Sequence, residues 1–119
     1  MALHLLKGQQ AERLARRHLE RHGLRTLASN YRCHRGEIDL IMNDRATLVF
    51  VEVRYRKNQT FGSACESVTR SKQRKLLASA QFYLQQHPTD APCRFDIIGI
   101  TGDNAGARIE WLKDAFQAN

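Results

Sequence analysis

The stretch RGEIDLIMNDRATLVFVEVRYR, Arg35–Arg56, limits the fold more than any other part of the chain. Its apolar residues alternate as two strands would, over about Glu37–Met42 and Thr47–Arg56, with a hairpin turn expected at Asn43-Asp44-Arg45. Side chains alternate between the two faces of a strand. In the first run Ile38, Leu40 and Met42 are expected on one face, and Glu37, Asp39 and Ile41 on the other. In the second, Val49, Val51 and Val53 share one face, and Leu48, Phe50, Glu52 and Arg54 share the other. A strand that is largely apolar on both faces belongs in the middle of a sheet, covered on both sides. Glu52 and Arg54 then emerge near its end, where core gives way to a cleft.

Pairing across the turn brings Asp39 beside Glu52. Two carboxylates that close repel, and each favours protonation of the other. A divalent cation removes the conflict. Mg²⁺ or Mn²⁺ suits such a site, with a few oxygen ligands from the protein and the rest from water and phosphate. The same spacing fits a simpler arrangement, in which Glu52 and Arg54 form a same-face ion pair and Glu37 and Asp39 face solvent on an edge strand.

The rest of the chain supplies the frame. Ala11, Leu14, Ala15, His18 and Leu19 recur at helical spacing, so a first helix is expected over about Lys7–His22, stopped by Gly23. A strand over Arg25–Arg32 follows. Lys57–Thr69 reads as a loop with a short helical turn, and Arg70–Gln86 as a second helix capped by Thr69. Pro88–Pro92 is loop, Arg94–Thr101 a buried strand and Ile109–Leu112 a short last strand. Helix, three strands, helix, strand, strand is the order of an α/β domain, with a mixed central sheet flanked by helices, spanning residues 1–119.

The chain has 119 residues, 19 Lys and Arg against 12 Asp and Glu, and a net charge of +7. Such a balance points to an anionic partner, nucleic acid first, and is also what a solvated basic surface would carry. No apolar run approaches the ~18 residues of a membrane span. MALHLLKGQQ lacks a basic start and a small-residue cleavage site, so it reads as part of the mature chain. Cys33, Cys65 and Cys93 are odd in number and form no CxxC pair, which suits a reducing cytoplasm rather than a disulfide framework or a zinc site. His18 and His22 lack the H-E-x-x-H order, and neither G-x-x-x-x-G-K-[ST] nor G-x-G-x-x-G is present. Asp96 is expected to hold a strand end, and Tyr83 and Trp111 to be core or interface residues.

On the first helix, at about 100° per residue, Glu12 lies about 90–100° from the centre of the apolar face and Glu20 almost opposite it. Glu12 can reach the sheet edge. On the second helix Gln73 falls within the stripe of Leu76, Leu77, Ala80 and Leu84, whereas Lys72, Arg74 and Lys75 lie off its centre.

GEIDLI at Gly36–Ile41, VFVEVRYR at Val49–Arg56, FG at Phe61–Gly62 and RFDII at Arg94–Ile98 resemble the uncharacterised bacterial YraN family. So do Glu12, Ala15, Leu19, Gly23 and LASN at Leu27–Asn30. That family resembles the Holliday junction resolvases and the wider restriction-endonuclease-like nucleases of the PD-(D/E)XK type. The resemblance implies their fold and site roles for Glu12, Asp39, Glu52 and Arg54, with Gln73 at a helix position some of those nucleases use. Two departures stand out: Ala11 precedes the helix Glu where the family usually has Gly, and Arg54 stands where the nuclease motif has Lys.

The leading expectation is therefore a metal-dependent, endonuclease-like protein acting on DNA, branched DNA included. Asp39, Glu52 and the Val53 carbonyl would hold Mg²⁺ or Mn²⁺, and Glu12 would assist through water. Arg54 would contact the scissile phosphate but, always protonated, could not be a general base. Arg13, Arg16, Arg17, Arg56, Lys57, Arg70, Lys72 and Arg74 are candidate contacts to the nucleic-acid backbone. DNA is expected ahead of RNA, no membrane is expected, and a homodimer is compatible with the sequence. The rival expectations are a non-catalytic nucleic-acid-binding module on the same fold, which the Lys-to-Arg departure favours, and a protein-interaction adaptor with structural carboxylates.

Overall fold

The computed structural model describes residues 2–60, 62–102 and 106–117, with side chains from Gly8 onward; Met1 and Phe61, the latter part of the family resemblance, lie outside the described residues. Among the described residues are helices α1 (Ala2–Arg21) and α2 (Arg70–Gln86) and strands β1 (Arg25–Cys33), β2 (Gly36–Asp44), β3 (Thr47–Arg56), β4 (Cys93–Thr101) and β5 (Arg108–Phe116). The strands form one sheet in the order β1-β2-β3-β4-β5. β3 and β4 are parallel because α2 crosses between them, and the other neighbours are antiparallel. The result is the expected α/β arrangement with a mixed sheet.

Local chemistry sets the helix ends. Thr69 Oγ1 accepts the Lys72 N–H at 3.1 Å and starts α2. Gly23, at φ +94°, stops α1 in a left-handed conformation that glycine adopts without strain. α1 begins at Ala2, earlier than the expected Lys7. Gly8 lies inside it facing open space, and one glycine costs a helix only about 1 kcal/mol.

The sheet separates two cores. Ile38, Ile41, Leu48, Phe50, Leu76 and Tyr83 pack on the α2 side. Ala15, Leu19, Leu40, Met42, Val49, Val51 and Ile98 pack on the α1 side. β3 keeps strict alternation and is buried on both faces, as its sequence requires. β2 does not. Alternation puts Ile38 with Leu40 and Met42, but it joins Ile41 in the α2-side core. β1 slips in step, since Ala28 and Tyr31 both pack on that core. The change of face falls between the Ser29↔Leu40 and Tyr31↔Ile38 pairs, where Asn30, at φ +53°, stands across from Asp39; the pairing register itself shifts earlier, between Thr26 and Ala28. The β2–β3 ladder also stops here, with Leu40↔Val51 its last pair.

β5 is longer than the expected Ile109–Leu112 because a bulge interrupts its alternation. Its pairing with β4 shifts between Phe95↔Phe116 and Ile97↔Leu112, and Asp114 sits at φ +52°. Asp96 holds that bulge. Fully buried, it accepts from Asp114 N–H at 2.9 Å, Trp111 Nε1 at 3.0 Å and Arg94 Nε at 3.0 Å, the strand-end role expected of it.

A 3₁₀ turn, Cys65–Ser67, lies against β4 at Gly99. A Cβ on Gly99 would come within 2.8 Å of Cys65 Sγ and 3.1 Å of the Cys65 backbone nitrogen. Gly99→Ala should therefore push the turn off the sheet and cost about 1–3 kcal/mol. Thermal or denaturant unfolding measures this, and a variant as stable as the parent would show that the close approach does not constrain the fold.

Candidate metal centre

Where β2 and β3 part, the next backbone donor of β3 lacks a strand partner. The Val53 N–H instead donates to Asp39 Oδ2 at 2.8 Å. The carboxylate thus takes the place of a ladder carbonyl. In an extended strand the N–H and C=O of one residue point to the same side, so the Val53 carbonyl faces the Asp39 side too.

Glu52 enters from the α2 face of β3 and is 4% exposed. Its Oε2 is 3.2 Å from Arg54 Nη1 and 3.6 Å from Lys72 Nζ. Burial, then repulsion from Glu52, push the Asp39 carboxyl up to about 8; the Val53 hydrogen bond opposes this, while a hydrogen bond with Glu52 and the charge of Glu37 add to it. On the other side of the sheet, burial followed by the charge of Asp39 raises the Glu12 carboxyl above the ordinary range. With its amide nitrogen turned toward Glu12, Asn30 donates to both carboxylate oxygens at 3.2 Å, which works against that rise. Glu12, Asn30, Ser29, Arg13, Arg16 and Gln9 line a cavity of about 310 Å³.

The structure therefore brings Asp39 within electrostatic reach of Glu12 on one side of the sheet and of Glu52 on the other, with Arg54 against Glu52. Glu37, expected on the same face as Asp39, stays close enough for its charge to raise both Asp39 and Glu12, while it pairs at the surface with Arg32 at 3.1 Å. Gln73 does not join the carboxylates; its Nε2 donates to the Val68 carbonyl at 3.4 Å and ties the start of α2 to the preceding loop. Arg54 is held more firmly than a cleft residue need be. Nε donates to Ser67 Oγ at 2.8 Å and Nη2 to the Ser67 carbonyl at 3.3 Å. The Glu52–Arg54 ion pair that the spacing allows is thus present at the mouth of the site.

Two further participants join the site. Lys72, which the sequence suggests as a nucleic-acid contact off the centre of the α2 stripe, reaches Glu52. Asn30, which the sequence marks only as part of LASN, reaches Glu12; an asparagine inside a strand-like run, among the non-glycine residue types that most readily take the left-handed conformation seen here at φ +53°, is the available signal. Of the remaining basic residues, Arg13 and Arg17 are exposed on α1 and Arg16 is half-buried. Arg70, Arg74 and Lys57 are exposed, and Arg56 is half-buried. Of these, Arg13 and Arg16 line the cavity that holds Glu12. A cavity of about 550 Å³ between α2 and the start of β4 lies at the other end of the sheet and contains none of the three carboxylates.

The model for the uncharacterised protein family UPF0102 matches residues 11–100, a span that contains every candidate site residue. The chain belongs to that family. A UPF0102 protein of Nitrosococcus oceani is 52% identical over 118 residues, covering 98% of this chain and 95% of its own. One from Saccharophagus degradans is 51% identical over 121 residues, covering 100% and 99%. One from Nitrosospira multiformis is 53% identical over 114 residues, covering 96% and 95%. This UPF0102 chain thus matches its relatives along nearly their whole length.

The raised Asp39 carboxyl fixes a pH dependence. Between the ordinary value of 3.8 and about 8, the folded protein holds a proton that the unfolded chain has released. The associated stability is present below the ordinary value and is lost as pH rises through about 8. Asp39→Asn keeps an acceptor for Val53 N–H but cannot ionise. Its melting temperature should exceed the parent's by a margin that grows from pH 5 to pH 9. Parallel melting curves for the two proteins would show that Asp39 is ionised throughout.

Proposed function

We propose that the chain is a metal-dependent, endonuclease-like protein acting on DNA, on a restriction-endonuclease-like fold. The observation that carries this reading is the pairing of Asp39 with buried Glu52 at a break in the sheet, where their mutual repulsion is relieved only by a proton or a cation. The donor set is all oxygen, which suits Mg²⁺ or Mn²⁺. Among the described residues no group of three or more His, Cys, Asp or Glu side chains is arranged to hold a metal ion. Two carboxylates fit Mg²⁺ nevertheless, since it commonly takes one or two from the protein and its other ligands from water and phosphate.

Asp39, Glu52 and the Val53 carbonyl would hold the ion, and Glu12 would act through a bound water from the α1 side. When bound, the ion supplies a water of lowered pKa and screens the phosphate charge. Hydrolysis joins a water oxygen to phosphorus as the bond to the leaving oxygen breaks; the water gives up one proton and the leaving oxygen takes one up. The protein's part is to hold the carboxylates apart from bulk water and to align the backbone through its flanking cations. No helix among the described residues is long and apolar enough to cross a membrane. A second reading, a non-catalytic nucleic-acid-binding module, is favoured by the tethering of Arg54 to Ser67, which leaves it less able to follow a reacting phosphate.

Cleavage of branched and linear DNA with Mg²⁺ or Mn²⁺ tests the first reading. The parent should cut, and the Asp39→Asn, Glu52→Gln double variant should lose about a hundredfold or more in rate while remaining folded. DNA binding without cutting by either protein would select the second reading. Binding should weaken steeply with salt, and replacing Arg70 and Arg74 by Ala should lower the slope of log affinity against log salt by roughly 0.9 for each phosphate no longer neutralised. An unchanged slope would remove those two arginines from the interface.

A further inference from the structure

Arg54 occupies the sequence position where the nuclease motif carries lysine, but its guanidinium is already committed. Three donations fix it, two to Ser67 and one to Glu52. Ser67 is itself held, its Oγ donating to the Ala64 carbonyl at 2.6 Å, in the turn that lies against Gly99. A planar fork anchored at both ends cannot swing toward a substrate.

Lys72 is built differently. Its backbone is fixed in the first turn of α2 by the Thr69 cap. Its ammonium rides on a flexible four-carbon stem, is about one-third exposed, and stands 3.6 Å from the same Glu52 oxygen that Arg54 meets. Glu52 is the one partner the structure gives that ammonium among the described residues. A divalent cation on the Glu52 carboxylate would repel an ammonium only 3.6 Å from Oε2, and a phosphate beside that cation would offer the ammonium a new anion within reach of its flexible stem.

We infer that Lys72 is the site's movable cation, neutralising Glu52 while the site is empty and contacting the bound phosphate once a divalent ion arrives. Arg54 is a positioning residue that orients Glu52. The inference rests on the metal-site reading above and extends it, because it moves the phosphate contact from the strand to the helix.

The test compares the parent with Lys72→Met, Lys72→Arg, Arg54→Met and, as a control on the exposed side of α2, Lys75→Met. Mn²⁺ affinity is measured by calorimetry without DNA. Affinity for a short duplex and for a four-way junction is measured with and without Ca²⁺, which serves as a weakly activating ion. Lys72→Met should bind Mn²⁺ roughly three- to fivefold more tightly, because no ammonium has to be displaced. It should also lose the Ca²⁺-dependent gain in DNA affinity. Lys72→Arg should keep that gain, and Lys75→Met should match the parent in both measurements. Arg54→Met should bind Mn²⁺ more weakly, since Glu52 loses its orienting partner. If the parent binds Mn²⁺ and DNA but Lys72→Met behaves identically, the inference fails while the functional reading stands. If no protein in the set binds Mn²⁺, the metal site itself is wrong and the role of Lys72 falls with it.

Discussion

The hydrogen bond from Val53 N–H to Asp39 is the interaction on which the rest of the site depends. A backbone donor inside a sheet must find an acceptor, and an orphaned one costs about as much as a broken hydrogen bond. By supplying a carboxylate in place of a carbonyl, Asp39 lets β2 leave β3 without that penalty. The same substitution brings an acid into a half-buried position beside a second, deeply buried acid. One local solution to a backbone problem thereby creates the charge conflict that a cation can resolve.

The surrounding structure holds this conflict in place. Gly99 lets the Cys65–Ser67 turn approach β4, Ser67 anchors Arg54, and Arg54 orients Glu52. Asn30 adopts a left-handed conformation across from Asp39, where the side chains of both strands change face, and reaches Glu12. The two cores on either side of β3 make the strand rigid, so the carboxylates do not move apart to relieve their repulsion.

Much of this is legible in the sequence. Thr69 and the stripe of Leu76, Leu77, Ala80 and Leu84 mark α2 to the residue, because a cap and a helical period are local signals. The double apolar face of β3 marks a central strand for the same reason. The slip in β2 is not legible, since it depends on where a neighbouring strand stops pairing, and strict alternation therefore misplaces Ile38. The length of β5 is hidden by the bulge at Asp114, which breaks the pattern that would announce a strand. In the site, Asp39, Glu52 and Arg54 can be found from spacing along β3 and its hairpin partner. The reach of Lys72 cannot, because its approach to Glu52 is set by the packing of α2 on the sheet, and helical periodicity alone places it only off the centre of the apolar stripe.

If Asp39 and Glu52 hold a divalent ion, the proton that Asp39 carries at neutral pH must be displaced when the ion binds. Calorimetric titration with Mn²⁺ at pH 7, repeated in buffers of different ionisation enthalpy, counts protons released on binding. About one proton should be released per ion bound, since a carboxyl near 8 is mostly protonated at that pH and must deprotonate to become a ligand. Binding with no proton release, or no binding by the folded parent protein, would contradict the metal site.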